Sequence, residues 1–349
     1  MKVKFLEARN GDSILISFSD SDGASRNVLI DGGPPSTYQY KNKKGKYESG
    51  ALKQELDHID SIDLLILTHV DDDHIGGILQ WFSKDPDAKN KVKKVWFNSG
   101  QLISERFKAA LIEDNSIVLK DNSSLDTSIK QGITFEEYIS SHAIWERAII
   151  DASKNVTLFG LKFQFLSPDD EKLRLLLKKW KKEDPNLDTA TSDDYSVSLK
   201  DHISADSFKE DKSIHNGSSI AFIITFNGKN IVFLGDAHPR LVEQSLTDLG
   251  YSAENKLEAE FVKVSHHGSK SNTSYELLNL IETQKYIISS NGAIHNLPHK
   301  QCLARIINHN NSAELYFNYI EKPSEIFSTQ DFVDFSSFKA YPILSEFEI

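Results

Sequence analysis

The sequence predicts an α/β protein, an αββα sandwich in which two mixed β-sheets pack face to face and helices cover the outer faces. Short runs rich in β-branched and aromatic residues alternate with helical patterns along the chain. These runs form two groups, within residues 2–98 and 156–291, and strands of both groups end in clusters of polar residues. Two strand-rich halves of this kind fit two sheets that share one core.

The first half contains five predicted strands and one clear helix. Residues 62–67 form an almost continuous apolar run, which is typical of a strand covered on both faces. Residues 75–82 follow with the spacing of a short helix. The five strands are residues 2–8, 13–18, 27–33, 62–67 and 94–98. The pattern is weaker over residues 101–155, where helices are expected around 104–113 and 134–150.

The second half begins with a predicted hairpin over residues 156–168. A stronger hairpin follows over residues 219–236, with Asn227-Gly228 as its turn signal. An amphipathic helix is predicted between them, over residues 173–182. The remaining elements are strands over 261–269 and 286–291 and a helix over 298–309.

The order of these elements predicts one domain over residues 1–300. Residues 183–213 are polar and rich in Asp, Ser and Lys, so we expect them to form an inserted loop or mobile flap. Residues 301–349 are expected to be a C-terminal extension that packs on the same domain.

Composition limits the class of protein. With 51 acidic and 40 basic residues the formal charge is −11, which disfavours a chain that coats nucleic acid non-specifically. The single cysteine, Cys302, excludes an internal disulfide framework and a cysteine-based zinc site. No apolar run approaches the ~20 residues that span a bilayer, and the N-terminus lacks the apolar core of a secretory signal. We therefore expect a soluble, cytoplasmic protein with no membrane partner.

The segment LTHVDDDHIGG, residues 67–77, carries the most specific chemical signal. It places five imidazole and carboxylate groups directly after a buried strand: His69, Asp71, Asp72, Asp73 and His74. Such groups bind Zn²⁺, Mn²⁺ or iron, and so many together would repel one another without a cation. Gly76 and Gly77 allow a tight turn and let a helix begin against the site. The alternative is an exposed acidic loop, but the preceding strand and the following glycines favour a metal site.

Two further strand ends deliver similar groups. Asp236 follows the second hairpin, and His266 and His267 follow the strand that begins at residue 261. A carboxylate at such a place can bridge two metals. Taken alone, Asp236 could instead cap a helix, and the histidine pair could be exposed polar residues. Three strand ends that each supply His or Asp favour one common site.

These motifs resemble the metallo-β-lactamase-fold hydrolases, and most closely the metal-dependent domain of ComEC-type DNA-uptake proteins. The similar stretches appear in the order of that family and span residues 1 to about 272: they are residues 8–16, 27–33, 64–77, 216–237 and 262–272. The glycine pair after Asp31 and the HHGS run at residues 266–269 indicate this branch.

The resemblance implies a ligand set for one or two divalent ions, Zn²⁺ or Mn²⁺. His69 and Asp71 would hold the first ion, Asp73 and His74 the second, Asp236 would bridge them, and His266, or else its neighbour His267, would complete the second set. Asp31 would orient a ligand from outside the set. Because Asp71 stands where many members have histidine, the site is richer in oxygen, which favours manganese.

Other polar residues are weaker candidates. Many members supply a further histidine before the bridging aspartate, where this chain has the run HNGSS. Asn216 matches the ComEC-like branch at this point, and the adjacent His215 could serve as the ligand. His295 and His299 follow a strand and could contact substrate or donate a proton.

The resemblance further implies hydrolysis by a metal-activated hydroxide, with Asp71 or Asp73 taking the proton or orienting the water. Phosphodiesterase or nuclease activity leads, so nucleic acid is a possible partner, and the lysines of residues 41–46 and 91–94 could flank its cleft or simply be exposed. One alternative is a hydrolase of esters or peptides that acts as the effector subunit of a multi-protein system, with a protein partner. The other is a catalytically silent scaffold.

Overall fold

The computed structural model describes residues 1–108, 127–181 and 193–349 of the chain. Within these ranges two mixed sheets lie face to face with helices on their outer sides, so the predicted αββα sandwich is confirmed. None of the helices in these ranges combines the length and the apolar composition that crossing a bilayer requires.

The strands are β1 (Lys2–Phe5), β2 (Ile14–Ser19), β3 (Ser25–Ile30), β4 (Gln39–Lys41), β5 (Tyr47–Ser49), β6 (Leu64–Ile66), β7 (Val95–Trp96), β8 (Asn155–Leu158), β9 (Leu161–Ser167), β10 (Ala221–Phe226), β11 (Lys229–Phe233), β12 (Leu257–Glu258), β13 (Val262–Lys263), β14 (Ile281–Glu282), β15 (Lys285–Ile288), β16 (Glu314–Phe317), β17 (Lys339–Pro342) and β18 (Phe347–Glu348). The described α-helices are α1 (Ala51–Leu56), α2 (Asp72–Lys84), α3 (Ala88–Lys91), α4 (Gly100–Arg106), α5 (Thr127–Ser141), α6 (Asp170–Lys181), α7 (Leu199–Ser204), α8 (Ile214–Gly217), α9 (Pro239–Asp248), α10 (Tyr275–Asn279), α11 (Lys300–His309), α12 (Lys322–Ile326) and α13 (Thr329–Asp334). Two short 3₁₀ helices span Pro35–Thr37 and Ser265–Gly268.

The first sheet has six strands in the order β18-β1-β2-β3-β6-β7, and the second has eight in the order β17-β16-β15-β13-β11-β10-β9-β8. Both combine parallel and antiparallel pairs. In the first, β6 runs parallel to β3 and to β7, and in the second, β13 runs parallel to β11 and to β15. Parallel neighbours end at the same edge of their sheet, which sets the position of the polar loops described below.

The alternation of side chains along each strand builds three apolar layers. Leu29 and Leu65 point outward, into the layer that also holds Trp81 of α2. Their neighbours Ile30 and Ile66 point inward, into the layer between the sheets. A third layer lies between the second sheet and helices α9, α10 and α11. Burial of apolar side chains on both faces explains the continuous apolar runs in these strands.

The C-terminal residues contribute strands to both sheets. β16 and β17 extend the second sheet in parallel, and β18 pairs antiparallel with β1 in the first. The ring of Phe347 packs against Phe5 of the first sheet and against Phe261, which lies between the sheets.

The described part of the predicted insertion, residues 193–213, is held against α11. The carboxylate of Asp194 accepts hydrogen bonds from the backbone N–H groups of Lys300 and Gln301, at 2.8 and 3.0 Å. Asp206 forms an ion pair with Arg305 at 2.6 Å. Of the two expected forms, this part therefore fits an inserted loop held on a helix rather than a mobile flap, and residues 183–192 lie outside the described ranges.

The two helices predicted from weak patterns in the first half are only partly confirmed. α4 covers the beginning of the helix expected around 104–113, and the rest of that stretch lies outside the described residues. The helix expected around 134–150 is α5, which ends at Ser141. Beyond it, Ala143 has a φ of 55° and Trp145 forms a β-bridge with Val95, so a continuous helix is impossible there.

Candidate metal centre

Four strand ends bring the polar clusters together between the two sheets. In the first sheet, Asp31 follows β3, and the loop of residues 67–71 leads from β6 into α2. In the second sheet, Asp236 follows β11, and the 3₁₀ helix Ser265–Gly268 follows β13. Rigid strands thus fix the starting point of every loop that carries a predicted ligand, which is how a scaffold positions a site built on loops.

Asp236 lies at the middle of the cluster and faces two pairs of histidines. Its Oδ1 is 3.5 Å from Nε2 of His74 and 3.8 Å from Nε2 of His267. Its Oδ2 is 3.7 Å from Nε2 of His69 and 3.8 Å from Nε2 of His266. One buried carboxylate therefore presents a different oxygen to each pair, the arrangement expected of a bridging ligand.

Around Oδ2 of Asp236, the first group of donors contains His69 and Asp71. Nε2 of His69 is 3.7 Å from Oδ2 of Asp71. The other oxygen of Asp71 lies 2.7 Å from Nδ1 of His215. His215 therefore contacts the cluster through Asp71, while Asn216 donates to Asp211 at 2.7 Å and lies 3.3 Å from Nδ1 of His266.

Around Oδ1 of Asp236, the second group contains Asp73, His74 and His267. Nε2 of His267 is 3.3 Å from Nε2 of His74 and 3.6 Å from Oδ2 of Asp73. Asn10 donates to the same Asp73 oxygen at 3.1 Å. The geometry thus associates His267 with the second group, where the sequence favoured His266, and associates His266 with the other oxygen of Asp236.

Both histidines reach the cluster because of an unusual backbone turn. His266 and His267 have φ values of 46° and 52°, in the left-handed region that residues other than glycine rarely adopt. Such strain persists only when the surroundings hold it in place, and it is common at functional sites. Here it directs two successive imidazoles to opposite oxygens of Asp236.

Asp31 supports the second group from outside. Its Oδ2 accepts hydrogen bonds from Nδ1 of His74 and from Oγ1 of Thr68, both at 2.7 Å, and its Oδ1 accepts one from the Thr68 backbone N–H at 2.8 Å. A donor proton on Nδ1 leaves Nε2 of His74 available as a metal ligand. The resemblance implied such an orienting role for Asp31.

Sequence reasoning missed other residues that hold the histidines. Oδ2 of Asp211 lies 3.4 Å from Nδ1 of His266, and Asn272 is 3.0 Å from the same nitrogen. Behind His267, Asp12 forms an ion pair with Lys263. The family-like stretches 8–16 and 262–272 contain Asp12, Lys263 and Asn272, but nothing in the local sequence marked their roles, and Asp211 lies outside every such stretch. Their roles depend on contacts between residues distant in the chain.

The cluster carries strong electrostatic coupling. Burial acts to raise the pKa of Asp236, but His74, His266 and His267 hold that pKa well below its usual value. Burial acts to lower the pKa of His74, but Asp236 and Asp31 raise it well above its usual value. In His69, burial and the charge of His74 lower the pKa. Without a metal, protons on imidazoles therefore balance the carboxylates, and an arriving cation must displace them.

The donor atoms fit a divalent cation. Nε2 of His69 and Oδ1 of Asp236 are buried and have no hydrogen-bond partner among the described residues. Two imidazole Nε2 atoms face each other 3.3 Å apart, which requires a proton or a cation between them. Buried polar atoms are normally satisfied, so these exceptions need an explanation. A cation that binds imidazole and carboxylate explains them together.

The structure also places two other groups of predicted residues. His295 is exposed on the loop that precedes α11. Lys93 and Lys94 precede β7, whereas the metal cluster follows the carboxyl end of the parallel strand β6. These two lysines therefore lie at the amino-terminal end of the parallel strands, opposite the end that carries the metal cluster. The prediction that the 91–94 run flanks the cleft is wrong.

Residues 6–139 match the model of the metallo-beta-lactamase superfamily. The chain also aligns with the metallo-beta-lactamase fold protein YhfI from Bacillus subtilis, at 10% identity over 99% of this chain and 97% of that one, with a TM-score of 0.40. Zn²⁺-bound PqqB from Methylobacterium extorquens aligns at 11% identity over 100% of both chains, with a TM-score of 0.42. No curated protein sequence matches this chain closely enough to count as a relative.

Residues 6–139 are thus similar to the metallo-β-lactamase superfamily, and the chain has the metallo-β-lactamase fold. Asp12, His74, Asp236 and His267 each bring one potential ligand atom within 4.8 Å of the others, so the cluster around Asp236 could hold a metal ion. Nothing in the comparisons distinguishes the ComEC-type branch.

Proposed function

We propose that this chain is a two-metal phosphodiesterase of the ComEC-like type that acts on nucleic acid or nucleotides. The observation that carries the proposal is the division of donors around Asp236. His69 and His266 face one oxygen, and His74 and His267 face the other. Paired metal sites with a shared ligand are typical of phosphatases and nucleases, in which two ions act on the attacking and the leaving oxygens.

The donor set favours Mn²⁺ over Zn²⁺. Asp71, Asp73 and Asp236 supply oxygen atoms, and His69, His74, His266 and His267 supply nitrogen. Asp71 adds oxygen where many members of the similar family have a histidine. Carboxylate oxygen suits Mn²⁺, whereas zinc sites more often contain several nitrogen or sulfur ligands. When bound, such ions lower the pKa of a coordinated water and neutralise charge on a phosphoryl group.

The protein's own groups divide the remaining tasks. Asp31 fixes the ring of His74, and Asn10 fixes the carboxylate of Asp73. The side chains of Asp71 and Asp73 are 29% and 24% exposed, whereas those of His69 and His74 are completely buried. Water and substrate can therefore approach through the two aspartates, and either one can orient the attacking water or receive its proton.

Charge and exposure support a proposal for where the substrate binds. The acidic net charge disfavours non-specific binding, so we propose that nucleic acid binds locally at the metal cleft. Exposed Lys43 and Lys44, at the tip of the β4–β5 hairpin, are the candidates for backbone contacts. The single cysteine, Cys302, is a buried free thiol, which fits a reducing compartment, and we propose cytoplasmic action.

The test is hydrolysis of bis-p-nitrophenyl phosphate and of linear and circular DNA by the purified protein, stripped of metal and reloaded with Mn²⁺ or Zn²⁺. We expect activity with Mn²⁺ and its loss in Asp73→Ala. Asp72→Ala is the matched control, because Asp72 is exposed and accepts a hydrogen bond from Gln131 at 2.5 Å, away from the cluster. Cleavage of esters or peptides without cleavage of phosphodiesters would contradict the proposal.

A further inference from the structure

A buried ion pair lies directly behind His267. Nζ of Lys263, the last residue of β13, is 2.7 Å from Oδ2 of Asp12, and the two side chains are only 1% and 3% exposed. The same ammonium group donates to the carbonyl of Val264 at 3.1 Å. Taking two charges out of water is unfavourable, and a buried ion pair is weak evidence of a stabilising role. The position of this one calls for another explanation.

The ion pair continues into the imidazole of His267. Oδ1 of Asp12 accepts a hydrogen bond from Oγ of Ser289 and lies 3.6 Å from Nδ1 of His267. The same Nδ1 donates to the carbonyl of Ser289 at 3.0 Å. One side of the ring is therefore bordered by acceptors, and Nε2 on the other side points to Asp73 and His74.

Distance alone would allow Asp12 to be a metal ligand. One ligand atom each from Asp12, His74, Asp236 and His267 lies within 4.8 Å of the others. However, both oxygens of Asp12 already accept hydrogen bonds, one from Lys263 and one from Ser289. Oδ2 of Asp73, in contrast, faces Nε2 of His267.

We propose that Asp12 and Lys263 form a positioning pair that fixes the ring of His267 for metal binding, and that Asp12 is not itself a ligand. Lys263 neutralises Asp12 and keeps its Oδ2 turned away from the cluster. Asp12 and Ser289 together keep the proton on Nδ1, so Nε2 presents its lone pair to the cation. The proposal rests on the metal-binding role assigned to the cluster above.

The test is titration of the metal-free protein with Mn²⁺ by calorimetry and with Co²⁺ by visible absorption. In Asp12→Asn and Lys263→Met we expect affinity for one of the two ions to fall by roughly 10–100-fold, the range typical of residues that orient a ligand. The Co²⁺ spectrum at saturation should keep the wild-type shape and intensity, because the ligands themselves are unchanged.

A matched control is available elsewhere in the chain. Lys300 and Asp331 form a second buried ion pair, at 2.8 Å, with side chains 1% and 2% exposed. Lys300→Met should destabilise the fold about as much as Lys263→Met, since each leaves a buried carboxylate without its partner. Its Mn²⁺ affinity should stay within about threefold of wild type. An equal loss of affinity in Lys300→Met would overturn the proposal, because general destabilisation would then account for the effect.

The double variant Asp12→Asn with Lys263→Met keeps the test decisive if a single variant folds poorly. Removing both charges should restore stability, since replacing a buried pair is often neutral. It should not restore Mn²⁺ affinity. Wild-type affinity in the double variant, or a changed Co²⁺ spectrum in Asp12→Asn, would overturn the proposal.

These measurements separate the failure of this inference from failure of the proposed function. If the wild-type protein binds no Mn²⁺ or Co²⁺, the metal centre itself is wrong. If it binds both ions tightly but leaves phosphodiesters intact, only the substrate is wrong, and the role of Asp12 and Lys263 is judged on the titrations.

Discussion

Replacing Asp31 with asparagine tests how the second group of donors is organised. Asparagine has nearly the same shape and tolerates the φ of 56° at this position. Its amide oxygen can still accept a hydrogen bond from the Thr68 backbone N–H, but its NH₂ group then faces Nδ1 of His74 and cannot accept a hydrogen bond from it. The ring must move its proton to Nε2, the atom proposed to bind metal.

The size of the effect follows from the bond that is lost. A hydrogen bond to a charged group contributes about 1.5–3 kcal/mol. Since about 1.4 kcal/mol corresponds to a tenfold change in affinity, we expect Mn²⁺ to bind the Asp31→Asn protein roughly 10–100-fold more weakly. Calorimetric titration of the metal-free protein measures this directly.

Asp63→Asn is the control. Asp63 is also buried and accepts hydrogen bonds from Arg26 and from the Asn27 backbone. Unlike Asp31, it comes before its strand, β6, and not at the strand end that leads into the site. We expect it to lower stability without changing metal affinity. If Asp31→Asn bound Mn²⁺ as tightly as wild type, or if both variants lost affinity equally, the orienting role of Asp31 would be refuted.

Three further predictions concern protonation and packing around the metal cluster. Burial lowers the pKa of His266, but Asp236 and Asp211 raise it to about 9, above the ordinary 6.5. The stability from this group is therefore fully present below pH 6.5 and lost as pH rises through 9, so chemical denaturation should show a decline that is smaller in His266→Gln. Because the pKa of His74 is raised well above its usual value, Mn²⁺ binding at pH 7 should release protons, seen as a dependence of the calorimetric enthalpy on buffer ionisation enthalpy. A Cβ on Gly11 would lie 1.8 Å from the Asp73 carbonyl oxygen, so Gly11→Ala should lower the unfolding free energy by about 1–3 kcal/mol, measured against Gly228→Asn in an open turn.

The sequence predicted the parts of the molecule that depend on local pattern. Apolar runs such as residues 62–67 and the Asn227-Gly228 turn identified strands, because burial on both faces and hairpin geometry impose those residues. The spacing from His69 to His74 pointed to metal chemistry because the segment follows a buried strand, β6, and runs into helix α2, whose first residue is Asp72.

The sequence failed where the structure depends on contacts between distant segments. Asp12 and Lys263 are separated by 251 positions, and nothing near either residue indicates its partner. The choice between His266 and His267 depended on two successive left-handed residues, which no periodicity predicts. The polar composition of residues 193–213 suggested an inserted loop or a flap. It did not indicate that the carboxylates of Asp194 and Asp206 contact α11, a helix about 100 residues further along the chain.

The central claim is that two cations bind on opposite sides of Asp236. Anomalous diffraction at the manganese edge, from crystals grown with Mn²⁺, tests it most directly. We predict two peaks, one beside His69 and Asp71 and one beside His74 and His267, with only the second remaining in Asp71→Asn. The absence of both peaks, or the loss of both in Asp71→Asn, would contradict the account.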